Sequence, residues 1–82
     1  MLPDAMGRVR IRANLSGEVE IRASVGQVVY SGQLLAIVEG DQEIESLSVR
    51  KPSRVEEIQV TTGTEVEAGA LLMIVVEVDD GP

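Results

Sequence analysis

Gly26-Gln27-Val28-Val29-Tyr30-Ser31-Gly32-Gln33-Leu34-Leu35 returns 37 positions later as Gly63-Thr64-Glu65-Val66-Glu67-Ala68-Gly69-Ala70-Leu71-Leu72. At that offset Glu20, Ile21, Gly26, Val29, Gly32, Leu34, Leu35, Ile37 and Val38 recur unchanged as Glu57, Ile58, Gly63, Val66, Gly69, Leu71, Leu72, Ile74 and Val75. A repeat this dense in a chain of 82 residues implies two similar supersecondary units facing each other about a pseudo-two-fold axis. The stretch from Glu39 to Pro52, lying between the copies, is then where the chain is free to differ.

The flanking segments read as strands. Arg8-Val9-Arg10-Ile11-Arg12 alternates charged and apolar residues with period two, the mark of a half-buried strand. Ala13 to Gly17 breaks the alternation and reads as a turn, and Glu18 to Ala23 alternates again. Gly26 and Gly32 bracket a short segment in which Val28 and Val29 dock on the core. Leu34 to Val38 is an unbroken apolar run, compatible with a strand covered on both faces. Val55 to Val60, Gly63 to Gly69 and Leu71 to Val78 answer these elements in the second copy. A helix across residues 65–75, where Glu, Ala, Leu and Met concentrate, is disfavoured by the central Gly69 and by Val-Val-Tyr-Ser in the first copy. An all-β sandwich is expected, with 1–7 as a flexible leader, 8–79 as the one domain and 80–82 as a polar tail.

Composition narrows the chemistry. The chain is 44% hydrophobic but has Tyr30 as its only aromatic residue, so the core must be built from Val, Ile and Leu. Cysteine is absent, which removes disulfides and thiolate metal sites, and histidine is absent, which removes the commonest general base and zinc ligand. The net charge of −7 is uneven. Four arginines against three acids make residues 1–25 slightly basic, whereas the remainder has only Arg50, Lys51 and Arg54 against eleven acids. Such a balance argues against nucleic acid, which demands a concentrated basic face, and against anionic membranes. With no membrane-spanning apolar run and no signal-peptide pattern, a cytoplasmic location is expected.

Three groups of side chains stand out. Glu39, Asp41, Glu43 and Glu45 occupy alternate positions and share one face if the strand persists through them. Without the glycine-turned spacing of a cation-binding loop they read as a solvated acidic tip and not a metal site, one that either only keeps the chain soluble or steers a basic partner. Arg8, Arg10 and Arg12, with Arg22, read as a basic edge of the kind that keeps sheets from associating. Tyr30 and Ser31 have no neighbouring base to activate them, so no catalytic constellation is present and the chain is read as a non-enzyme.

The duplicated Gly-x-x-Val-x-x-Gly-x-x-Leu, the Ala13-Asn14-Leu15-Ser16-Gly17 turn and the acidic hairpin between the halves resemble the biotinyl/lipoyl carrier domain over residues 9–78. That resemblance implies a flattened barrel-sandwich hybrid of two four-stranded antiparallel sheets with internal pseudo-two-fold symmetry. It also implies a lysine at the tip of the central hairpin carrying biotin or lipoate. Ten positions after Gly32, the family's lysine position falls on Gln42, and counting back from Ile58 gives the same residue. Asp41-Gln42-Glu43 stands where a lipoyl domain has Asp-Lys-Ala, and the biotin motif Met-Lys-Met is missing. Both ligases acylate a primary amine; the nitrogen of a glutamine amide is delocalised into its carbonyl and is not a nucleophile.

Lys51 is the only lysine, beside Pro52 and nine positions past Gln42, at the end of the return strand. Measured against the family, the interval from Gln42 to Pro52 is long and that from Pro52 to Ile58 is short. The leading expectation is therefore a non-acylated carrier-like domain without cofactor, serving as a docking or structural subunit of a multi-enzyme complex. Glu39, Asp41, Gln42, Glu43 and Glu45 would form its contact surface, and association into a homo-oligomer stays open. The rival is a genuine biotin or lipoyl carrier of a carboxylase or 2-oxoacid dehydrogenase, using Lys51 or having had its lysine replaced at position 42. A third reading is the barrel-sandwich segment of a transport adaptor protein, from which the long helices are missing.

Overall fold

A computed structural model describes residues 7–78 and gives them eight β-strands and no helix. The strands are β1 Arg8–Arg12, β2 Gly17–Ile21, β3 Val28–Val29, β4 Leu34–Glu39, β5 Ile44–Ser48, β6 Ser53–Ile58, β7 Glu65–Val66 and β8 Leu71–Glu77. They form two four-stranded antiparallel sheets in the orders β1-β8-β6-β3 and β5-β4-β2-β7. Exchanging β1 with β5, β2 with β6, β3 with β7 and β4 with β8 converts one order into the other, which is the symmetry expected from the repeat. The sheets face each other without closing into a barrel, so the fold is the flattened barrel-sandwich in an open form. Most of the expected leader and all of the expected tail lie outside the described residues. Gly7, assigned to the leader, is tied to the sheet: its carbonyl accepts a hydrogen bond from the Glu77 N–H at 3.0 Å.

The segment between the visible copies proves to be part of the repeat. Val9, Arg10 and Ile11 lie opposite Val75, Ile74 and Met73, just as Glu45, Ser46 and Leu47 lie opposite Val38, Ile37 and Ala36. β5 is thus the counterpart of β1, at an offset of 36 rather than 37. The extra residue is Glu56, where the register of β6 on β8 shifts between Val55 and Glu57 as a β-bulge. Only the inward-outward alternation is common to Arg8–Arg12 and Ile44–Ser48, so residue identity alone conceals the match.

Val19, Val29, Leu35, Val38, Val55, Leu72, Met73 and Val75 are fully buried between the sheets, giving the aliphatic core that the composition demands. The turns that bring β3 and β7 back over that core depend on glycine. In Tyr30-Ser31-Gly32-Gln33 the Gln33 N–H bonds to the Tyr30 carbonyl at 2.9 Å, with Gly32 at φ 84°, and Glu67 to Ala70 repeats the bond at 2.9 Å with Gly69 at φ 92°. These are type II turns, whose third residue must sit at positive φ.

The apolar run from Leu34 is not covered on both faces. Ile37 lies on the outer face between Glu20 and Ser46 and is half-buried by neighbours alone. On the other sheet the outer face of β8 is better shielded. Arg8 and Glu56 flank β8, their ion pair at 3.1 Å crosses it, and Ile74 beneath is buried.

Candidate functional site

β4 ends at Glu39 opposite Ile44, and the Gly40 N–H bonds to the Glu43 carbonyl at 2.8 Å. Gly40-Asp41-Gln42-Glu43 is therefore a four-residue hairpin turn, built on the Gly-Asp pair that favours such reversals. Asp41, Gln42 and Glu43 are all exposed, with Gln42 at the apex.

The loop from Ala13 to Ser16 braces this hairpin from beneath. A Cβ on Gly17 would lie 2.2 Å from the Glu39 carbonyl oxygen, so the backbones meet only because residue 17 has no side chain. The Asn14 N–H donates to Glu45 Oε1 at 2.8 Å, and the Asn14 side-chain amide donates to Glu45 Oε2. Two bonds to one carboxylate clamp the root of β5 to the opposite sheet's loop and leave only the turn projecting.

That clamp corrects the expectation of four acids on one face. The strand does not persist: the turn intervenes, Glu39 points to the outer face with Ile44, and Glu45 points inward with Val38 toward Asn14. The carboxylates gathered instead are Glu39, Asp41, Glu18 and Glu65, which line an open groove of about 510 Å³ with Ser16, Gly17 and Gly40. Glu18 lies directly opposite both Glu39 and Glu65, a row of like charges across the sheet that stays tolerable only in water. Among the described residues no three acids converge to hold a metal ion. Glu18 and Glu65 were not singled out from the sequence. Their meeting depends on β2 lying between β4 and β7, a non-local pairing with no signature in the local pattern.

Lys51 is at the other end of the molecule. β5 carries the chain away from the tip over five residues, about 17 Å at strand rise, before the crossover of residues 49–52. There Lys51 is exposed, its carbonyl accepts the Ser53 hydroxyl at 2.9 Å, and the Pro52 carbonyl accepts the Val78 N–H at 3.0 Å. Of the expected basic edge, Arg8, Arg10 and Arg12 do lie on edge strand β1. Arg22 does not join them: it follows β2 in the interior of the other sheet, 3.5 Å from Glu20.

Two open sheets related by a pseudo-two-fold, with a hairpin displayed at one end, are the frame on which comparison with known proteins rests. The family model described as "Biotin-requiring enzyme" matches residues 9–75, so the chain belongs to the biotinyl/lipoyl domain family. Domains of this family carry groups and do not themselves catalyse. Among solved structures, a single-chain, multi-domain long-chain acyl-CoA carboxylase superposes with a TM-score of 0.81 and 26% identity, over 96% of this chain and 8% of that one. A succinylglutamate desuccinylase/aspartoacylase family protein from Shewanella amazonensis SB2B gives a TM-score of 0.72 at 17% identity, over 85% of this chain and 20% of that one. A related protein from Shewanella frigidimarina NCIMB 400 gives 0.71 at 20% identity, over the same shares, 85% and 20%. The two Shewanella likenesses concern the fold alone. No curated protein matches the chain. The chain thus spans a small fraction of each protein it resembles, and among its described residues no helix is long and apolar enough to cross a membrane.

Proposed function

We propose that this chain is a carrier-shaped domain that is not acylated and acts by docking, through the β4–β5 hairpin, to a component of a carboxylase-type multi-enzyme assembly. The observation that supports this most is Gln42 at the apex of the hairpin, the position that the family resemblance assigns to the acylated lysine. An amide there cannot attack the acyl-adenylate of either cofactor. The only amine-bearing side chain, Lys51, lies at the far end, away from the turn that a ligase would read. What the tip does offer is charge and shape: Asp41 and Glu43 beside Gln42, with the acidic groove of Glu18, Glu39 and Glu65 behind them. Such a surface favours a basic partner and raises its encounter rate, with an effect that weakens as salt increases.

Co-expression with a biotin ligase and a lipoyl ligase, followed by intact-mass measurement, tests the reading. The unmodified mass is expected. A gain equal to biotin or lipoate, mapped to Lys51, would establish the genuine carrier instead.

A further inference from the structure

We propose that two copies of this chain associate about a two-fold axis parallel to the strands, the β1 of each pairing with the β5 of the other. Among the described residues β1 has a strand neighbour only on its β8 side, and β5 only on its β4 side. These two open edges border the same side of the sandwich, because one cleft of about 280 Å³ is lined both by Val9 and Ile11 of β1 and by Ser48 and Val49 at the end of β5. Their directions are opposite. β1 runs toward the tip, leading from Gly7 beside Glu77 to Asn14 beside Glu45, and β5 runs back from the tip. A two-fold rotation along the strand direction sets β1 against the partner's β5, antiparallel, and at the same time β5 against the partner's β1. The interface is self-complementary and closes at two copies.

Charge selects this arrangement over its alternative. An axis normal to the sheets would pair β1 with β1 and stack two rows of three arginines, a repulsive contact. In the proposed arrangement the outward side chains of β1, Arg10 and Arg12 among them, lie over Ser46 and Ser48 of the partner, which are small. Beyond these serines the same outer face carries Glu20 and Glu39 on the next two strands. Ile44, 67% exposed on the outer face of β5, meets the apolar stems of those arginines. The cleft between the two edges is lined by Val9, Ile11, Val49 and Val75, of which Ile11, Val49 and Val75 are already buried in the single chain. The apolar side chains that a second copy covers are therefore Val9, Leu47 and Ile44. Arginines that otherwise keep an edge solvated here choose which edge may approach. The dimer places both hairpin turns at one end, so two Gln42 loops face the same way. It stands independently of whether position 42 is acylated.

Sedimentation equilibrium of the whole chain tests this, at about 50 mM and about 1 M salt, conditions that differ severalfold in screening length. The expected result is a mass twice the 8.8 kDa of the chain at low salt, falling toward the monomer at high salt. Arg10→Glu should weaken association about tenfold or more, and adding Ser48→Arg to it should restore most of that loss. Unchanged far-ultraviolet spectra and urea midpoints show that the variants are folded. A monomer at every concentration up to millimolar, a dimer indifferent to both substitutions, or a mass that keeps growing without closing at two would each overturn the proposal.

Discussion

The two ends of the sandwich are one loop built twice, and they diverge at three equivalent positions. At the tip, Gly17 lets the Ala13–Ser16 loop touch the backbone of Glu39, and Asn14 grips Glu45. At the far end the equivalents, at the offset of 36 shown by the strand registers, are Ser53, Arg50 and Val9. An arginine and a valine cannot make the clasp that an asparagine and a glutamate make, so the far cleft between β1 and β5 stays open while the tip is drawn shut. Ser53 spends its hydroxyl locally on the Lys51 carbonyl. One end has therefore become a braced pedestal for a turn, and the other an open seam. Duplication supplies the frame; a few substitutions at equivalent places decide which end displays something.

Breaking the comparison at its tightest contact should give the largest effect. Gly17→Ala puts a methyl group where the Glu39 carbonyl now lies, and the hairpin must move to admit it. A loss of about 2–3 kcal/mol is expected, in the range of overpacked sites. Ser53→Ala at the equivalent place should cost no more than about 1 kcal/mol, for one hydroxyl bond. Urea midpoints for the two variants read the difference directly, and equal losses would mean that the two ends are braced alike.

A smaller effect is expected from the clasp. Glu45→Ala removes both bonds from Asn14 in a solvent-accessible setting and should cost about 1 kcal/mol, whereas Arg50→Ala, at the far-end counterpart of Asn14, should change stability by less than about 0.5 kcal/mol. The sharper readout is amide exchange. Protection at Gly40, whose N–H closes the turn, should fall in Glu45→Ala and not in Arg50→Ala. An unchanged Gly40 would show that the Gly17 contact holds the hairpin unaided.

Much of this architecture is legible in the residues. Alternation marks Arg8–Arg12, the glycine brackets mark the type II turns, and the recurrence of Leu34, Leu35, Ile37 and Val38 as Leu71, Leu72, Ile74 and Val75 marks the two central strands. What escapes is whatever depends on neighbours distant in the chain. β5 matches β1 in side-chain direction but not in residue type, and Glu56 shifts the count by one, so the repeat looked shorter than it is. The place of Gln42 in a hairpin turn was readable, because a hairpin between the two halves is what the resemblance implies there. The company it keeps was not. Whether Glu45 faces the other acids or faces Asn14 depends on where a four-residue turn falls, and Glu18 and Glu65 come together only through sheet order.

The central proposal is that the hairpin apex presents Gln42 where the family resemblance places the acylated lysine, and that the domain docks without a cofactor. Intact-mass and peptide-mapping measurements on the unaltered chain, co-expressed with the two ligases, test it most directly. The account predicts the unmodified mass, with Lys51 free of biotin and lipoate. A gain of one biotinyl or lipoyl group on that chain would contradict it.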